Sequence, residues 1–490
     1  MRISLLDRAQ LQQLHEASIF ILEKIGVHLP HDEALRLFAA AGAEVDFADQ
    51  HVRIPEKVVH ECLALAGKQF TIYGRDRSRS AEFGLGRRNY NSSAGQALWV
   101  DDNGRRYPTL DDVRTAARLA DALPRINIVG AMADPHELPV ESRAVVVAAE
   151  LLKQTTKPIT FWFHDRASAR FLLELFTIVS GSEAEAMEYP LAYPFLEPIS
   201  PLRFPRRGVD LLFETCRFKL PVPIGPMAQM GATAVATLAG TIAQQNAEIL
   251  AGMCIVQLIG PGTPVCYGGV SHAFDMRTTQ VIFGGPEQAL MGVALTEMAR
   301  FYQLPVYINV GLTDSKLPDA QAGLESGVTL ACGAMAGADI FGHLGICGAD
   351  QGASLAMLVL QHEAIGYVDR LLQGIEINDD SLGLDVIAEG IRAGSFLGLE
   401  HTRDHFRREL WFPRLFDRRY WEAWNADGRT DTASRCNAEK ERILREHQPA
   451  AMSREQERDV DRLIDDAQRH LLTPFKQEEN HATESIHIAS

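Results

Sequence analysis

The chain has 490 residues, 46% of them hydrophobic and 23% charged, and carries a formal net charge of −16 at pH 7. That length and ordinary globular composition predict one large domain with attached parts, or two domains. The acidic balance excludes a protein that grips nucleic-acid backbones, which needs a surplus of Lys and Arg.

The first 85 residues alternate amphipathic helices with short extended pieces. "LQQLHEASIFILEKIG" and "HDEALRLFAAAGAEV" each carry apolar residues at helical spacing and stop at glycine, and "PEKVVHECLALAG" opens on a proline suited to a first helical turn. Short apolar runs then recur at 89–95, 126–132, 158–164, 191–198, 221–227, 264–270, 305–311 and 338–345, separated by helical patterns such as "ESRAVVVAAELLKQ" and "TAVATLAGTIAQQNAEILAGMCIV". Eight buried strands alternating with helices require parallel pairing with crossovers. An open doubly wound sheet also fits, but the count of eight predicts an α/β fold of the (β/α)8 TIM-barrel kind over 86–395. After it the chain turns helical, aromatic and charged, as in "RRELWFPRLFDRRYWEAWNADGR", so 396–473 reads as a helical extension. The aperiodic stretch 474–490 is expected to be a disordered tail.

Seven cysteines (Cys62, Cys216, Cys254, Cys266, Cys332, Cys347, Cys436) form no CxxC pair, a distribution that fits a reducing compartment better than a disulfide framework. The N-terminal run lacks the apolar core of a signal peptide, and no apolar run is read as long enough to span a membrane. A cytoplasmic protein with no membrane or nucleic-acid partner is expected.

Parallel barrels carry their chemistry at the C-terminal ends of the strands. The residues there are Asp134 and His136, His164 and Asp165, Glu197, Met227 and Gln229, Ser271, His272 and Asp275, Thr313, Asp314 and Lys316, and His343. Gln229 follows the fifth strand, Asp314 the seventh, and His343 ends the eighth, so these three are expected to line one mouth as its catalytic set. Aromatic residues gather at the same ends: Phe161, Trp162, Phe163, Tyr193, Phe195, Tyr267, Phe274 and Phe341. Their faces suit a quaternary ammonium, although period two sends about half of them into packing.

Five stretches then carry a resemblance: "MAQMGATAVATLAGTIAQQNAEILAG" (227–252), "PGTPVCYGG" (261–269), "FDMRTTQVIFGGPEQAL" (274–290), "LTDSKLPDAQAGLE" (312–325) and "WFPRLFDRRYWEAW" (411–424). In order and spacing the chain resembles the trimethylamine methyltransferase (MttB-like) superfamily. The resemblance implies a barrel enzyme that moves a methyl group from an amine to the Co(I) corrinoid of a separate small protein. The founding branch uses pyrrolysine. This chain contains only ordinary residues and so resembles the branch without it, whose members demethylate quaternary amines such as glycine betaine. On that reading Phe161, Tyr193, Glu197, Tyr267 and Phe341 bind substrate, with donors for a betaine carboxylate from His343, Gln229 and the Gly311–Thr313 amides. Gly231, Ser271, His272, Gly311, Thr313 and Gly345 lie in loops facing the corrinoid, which the partner carries and this chain does not bind tightly. Homo-oligomerisation is left open.

No metal is expected in the chain itself. There is no HExxH; "HTRDH" sets His401 and His405 at i,i+4 without an evident third ligand, and "DPHELP" (134–139) has Pro139 where a cobalt-ligating Asp-x-His-x-x-Gly motif has glycine. Two other readings stand beside the methyltransferase. One is a barrel lyase or hydrolase using His136, His164 or His343 as base with Asp314 or Glu197, and it would turn over alone. The other is a non-catalytic binder of small quaternary cations.

Overall fold

All eight apolar runs become staves of one closed ring in the computed structural model, which describes residues 1–472; the tail expected to be disordered at 474–490 lies outside the described residues. The strands are Asn89–Ser92, Val129–Gly130, Ile159–Thr160, Val222–Ile224, Val265–Gly269, Val306–Ile308 and Ile340–Leu344, with the extended segment 191–196 in fourth place. Strands five to eight pair in parallel in chain order, and the eighth pairs with the first. Asn91 bridges to Ile128, strand two pairs with strand three, the Ile159 amide donates to the Leu191 carbonyl, and Leu196 bridges to Ile224. Every stave thus has two parallel neighbours, which is the closed (β/α)8 barrel and not the open sheet.

The fourth stave is irregular for a reason visible in "LAYPFL". Pro194 supplies no ladder donor, so the segment holds its place only at its ends, through the Leu191 carbonyl on one side and the Leu196 amide and carbonyl on the other. The first stave, "NYNS", looks unlike a core strand because its side chains are fasteners. Asn89 Nδ2 donates to the carbonyls of Glu82 (2.7 Å) and Asp339 (3.1 Å), tying strand one to strand eight.

One end of the barrel is sealed. The hairpin Phe70–Tyr73 and Ser80–Phe83 sits at the strands' N-terminal ends, with the Tyr73 amide donating to Pro190 O and the Gly84 amide to Asp339 Oδ1. Its Phe70, Ile72 and Phe83 pack against the inward-facing Ile128, Tyr193, Cys266, Tyr307 and Ile340. The other end stays open.

The helix Leu238–Ile259 corrects one sequence expectation, since it is long and apolar enough by length and composition to cross a membrane. Its apolar window is 83% buried inside the protein, against the N-terminal helices Arg8–Phe20 and Glu56–Leu65 on one side and strands on the other. A helix covered on all sides is apolar all round, and composition alone cannot separate that case from a membrane span. At the C-terminal end, Thr432–Glu446 packs on Leu355–Gln373, and the helix that begins at Arg454 lies along Val140–Gln154 and Arg166–Ser180.

Candidate active site in the barrel mouth

At the strands' C-terminal ends the barrel opens into a cavity of about 840 Å³. Two glycines make room at this end of the barrel, Gly225 on the cavity wall and Gly342 beside His343. A Cβ on Gly225 would meet the Phe195 ring at 2.5 Å, and one on Gly342 would meet Tyr307 Oη at 1.9 Å. Only glycine at these inward positions leaves room for the Phe195 and Tyr307 rings, which meet edge to face at 5.2 Å.

His343 reaches this cavity by breaking the strand's alternation. Phe341 faces outward and Gly342 inward, so a regular pleat would turn His343 away. The ladder between strands eight and one shifts register between Phe341 and Leu344, and His343 takes a left-handed φ of 64°. This bulge re-aims the imidazole into the mouth, stacked on Trp162 at 5.8 Å and edge-on to Tyr307 at 5.9 Å. Burial pushes it down to about 4, so it is neutral at physiological pH. Its Nδ1 is buried without a partner, as is Asn309 Oδ1 on the cavity wall. Unpaired buried polar atoms are costly, and two in one mouth mark a place where a ligand belongs.

Two carboxyls without an ion pair face the same space, Glu197 and Asp350. Both present surface to the cavity yet are enclosed by protein at longer range. That enclosure pushes Glu197 up to about 7, the charge of Asp350 adding to the effect, and Asp350 up to about 6, against the Gln96 side chain, which favours its ionised form. Asp350 sits in a turn where Gly348, Ala349 and Asp350 all have left-handed φ (65°, 54° and 67°), a strained arrangement for the two non-glycines. Asp134 also lines the cavity, but its charge is met by Arg143 at 2.8 Å. The segment after Glu197 is held from the helix Leu238–Ile259, where the Glu248 carboxylate accepts from Ser200 Oγ (2.7 Å) and the Leu202 amide (2.8 Å). Trp162, Phe163, Phe195 and Phe283 supply the apolar walls, and Arg207 and Gln229 stand at the edge.

Of the residues expected from the sequence, Gln229, His343 and Glu197 meet in this cavity, with the strand-end residues Asp134, His164 and Met227 and the aromatic residues Trp162, Phe163 and Phe195. Others do not. Phe161, Tyr267 and Phe341 occupy outward strand positions in the helix-facing core: Phe161 stacks on Phe163 at 4.7 Å, Tyr267 Oη donates to Asn246 at 2.9 Å, and Phe341 stacks on Tyr90 at 4.9 Å. Tyr193 faces inward but lies lower, against the sealing hairpin. Their neighbours Trp162 and Phe195 face the mouth instead. None of the six residues expected in corrinoid-facing loops lines the cavity. Gly231 lies in a tight turn beside Gln229, and Ser271 and His272 are buried behind the wall, His272 stacked on Phe283 at 4.0 Å. The Gly311 amide is spent on Thr329 Oγ1, Thr313 Oγ1 donates to Glu325, and the Gly345 amide donates to Gln361. The Gly311 amide is therefore not free to meet a substrate. Asp350 and Arg207 were missed, although Asp350 lies just past the eighth strand in the glycine-bounded turn "GADQG".

Asp314 is a fastener. Its carboxylate accepts from the amides of Phe283 (2.8 Å) and Gly284 (3.3 Å), binding the loop after strand seven to the hairpin that ends at Ile282. Glu325 accepts from Thr313 Oγ1 (2.6 Å) and the Asp314 amide (2.9 Å), and Asp319 caps the helix Ala320–Ala336. The polar cluster of "LTDSKLPD" thus bonds mainly to itself and to that wall. Asp314→Asn keeps one acceptor and is expected to lower stability by about 1–2 kcal/mol, read as a fall in the denaturation midpoint, with the affinity for a small cation unchanged. A variant that bound cations tenfold more weakly at unaltered stability would place Asp314 in the site after all.

An open mouth with acidic and aromatic walls at the C-terminal end of a closed (β/α)8 barrel defines a barrel enzyme. The profile of the family described as trimethylamine methyltransferase (MTTB) matches residues 1–471, and the chain belongs to that family of methyltransferases. A glycine betaine methyltransferase of Desulfitobacterium hafniense (strain Y51) is 31% identical over 93% of this chain and 95% of its own length. The trimethylamine methyltransferase MttB2 of Methanosarcina mazei is 30% identical over 95% and 96%, and an MttB of D. hafniense (strain DCB-2) is 28% identical over 90% and 89%.

Proposed function

We propose that this chain transfers a methyl group from a small, glycine betaine-like quaternary amine to the corrinoid of a separate protein. The observation that carries this reading is the meeting of Glu197 and Asp350 with the faces of Trp162, Phe163, Phe195 and Phe283 in one open cavity. A quaternary ammonium has no N–H to donate, so carboxylates and aromatic faces are what can recognise it. Family membership and the two relatives named for betaine and trimethylamine support the same class of reaction.

A Co(I) corrinoid, when docked, supplies the nucleophile that accepts the methyl group. The unpaired Nδ1 of His343 and Oδ1 of Asn309 suit the amide-bearing rim of such a group, and the mouth is wider than a small amine requires. The chain's own task is to orient one N–CH3 bond outward and exclude water. The departing amine takes the bonding pair and needs no proton, and His343, held neutral by burial, has none to give. Glu197 and Asp350 hold the cation, while Arg207 and Gln229 face the carboxylate of a betaine. The positive charge on nitrogen fades as the methyl group leaves, so the two carboxylates favour bound substrate over transition state and act on KM more than on kcat. Free cysteines and a strongly reduced co-substrate support a cytoplasmic setting.

Calorimetric titration of the chain with glycine betaine and with its carbon isostere, in which a quaternary carbon replaces nitrogen, tests the recognition step. Binding of the betaine at least tenfold tighter is expected. Equal affinities would remove cation recognition, and with it this reading of the cavity.

A further inference from the structure

Away from the mouth, two imidazoles and a carboxylate converge between the N-terminal helices. His15 lies on Arg8–Phe20, and Glu56 and His60 lie one turn apart on Glu56–Leu65. Glu56 Oε1 stands 3.6 Å from His60 Nε2 and 4.0 Å from His15 Nε2, and all three donor atoms lie within 4.8 Å of one another. These separations are too long for hydrogen bonds. They approach the edge of a tetrahedron around zinc, about 3.3 Å for bonds of roughly 2.0–2.1 Å. A small rotation of the half-exposed Glu56 side chain closes the remainder.

The geometry points to a divalent transition-metal site of the zinc type, with His15, Glu56 and His60 as ligands and water in the fourth position. The other ring nitrogen of His15 has a partner. Its Nδ1 lies 2.9 Å from Tyr302 Oη, which also accepts from Asn246 Nδ2 at 2.9 Å; a metal on Nε2 would put the ring proton on Nδ1, facing the phenol oxygen. Such an outer partner fixes tautomer and ring direction at histidine metal sites. Tyr302 lies just ahead of strand seven, at the sealed end of the barrel. The ion would therefore pin the two N-terminal helices to the barrel and take no part in methyl transfer.

A second cluster, Asp380 with His401 and His405, is a poorer host. Its rings stack directly on each other at 3.9 Å, against 5.9 Å between the His15 and His60 rings, and His401 Nε2 already contacts the Asp380 carbonyl at 3.0 Å.

The test uses the full chain, stripped with EDTA and titrated with Co2+ as probe. One equivalent should bind with the visible absorption of four-coordinate Co2+, be displaced by Zn2+, and be lost in His60→Ala. His60 is half exposed, so that variant should keep its circular dichroism spectrum; His405→Ala should retain the signal. Zn2+ should raise the thermal midpoint of the wild type and not of His60→Ala. Absence of stoichiometric binding, survival of the signal in His60→Ala, or its loss in His405→Ala would each overturn the site.

Discussion

Replacing Glu197 by glutamine is expected to raise KM for a quaternary amine about 30-fold and leave kcat within a factor of two or three. A carboxylate about 5 Å from a cation is worth roughly 3 kcal/mol at an effective dielectric of 20, and water in the open mouth screens part of that, since Glu197 is exposed. The split between KM and kcat follows because the lost attraction is stronger in the ground state than in the transition state. The pH dependence has a definite sign. Both carboxyls sit above their ordinary range, Glu197 at about 7 and Asp350 at about 6, so each gains charge as pH rises through that window. Affinity for the cation should therefore climb from pH 5.5 to 7.5, as an order-of-magnitude window, and then level off. In Glu197→Gln the climb should end about one pH unit lower, because only Asp350 titrates. A KM unchanged by the substitution and flat with pH would show that the pair does not hold the substrate.

The largest effect on stability is expected at a residue far from the chemistry. Lys157, just ahead of strand three, is 6% exposed, and its Nζ donates to the carbonyls of Ala120, Leu123 and Ile126, each at 2.8 Å. Burial lowers Lys157 to about 7, but three carbonyl acceptors around Nζ favour the ammonium, whose three donors are all used. They close the end of the helix Leu110–Ala122 and the turn into strand two. Lys157→Met fills the same volume and leaves three buried carbonyls without their donor. A loss of about 3–5 kcal/mol is expected, measured by denaturant unfolding, with Lys157→Arg intermediate because a planar guanidinium cannot meet three converging carbonyls. A Met variant within 1 kcal/mol of wild type, on the scale of an ordinary surface change, would show that these bonds exchange freely for water.

The strands were legible because buried parallel strands are short continuous apolar runs between glycine and proline, a pattern that seven of the eight follow and the polar first stave does not. Period two was legible in principle and decides the aromatic residues. Trp162 and Phe195 face the mouth, while Phe161, Tyr267 and Phe341 face the helices. The alternation fails at His343, whose inward direction depends on a bulge that leaves no mark in the residues around it. The polar richness of "LTDSKLPD" pointed to the mouth, yet in the fold those groups chiefly satisfy one another and the neighbouring hairpin. Asp350 was hidden because its place depends on consecutive left-handed residues, only one of them glycine. His15 and Glu56 are separated by a whole helix and a small sheet, so no spacing rule along the chain brings them together.

The most direct measurement mixes the purified chain, a corrinoid protein reduced to Co(I), and a panel of quaternary amines, and follows the Co(I) absorbance. With glycine betaine or a close analogue that absorbance should decay only when chain, amine and corrinoid protein are all present, and about 30-fold more slowly in Glu197→Gln at subsaturating amine. Decay without the chain, no decay with any quaternary amine, or turnover of a substrate by the chain alone would contradict methyl transfer from a quaternary amine at this mouth.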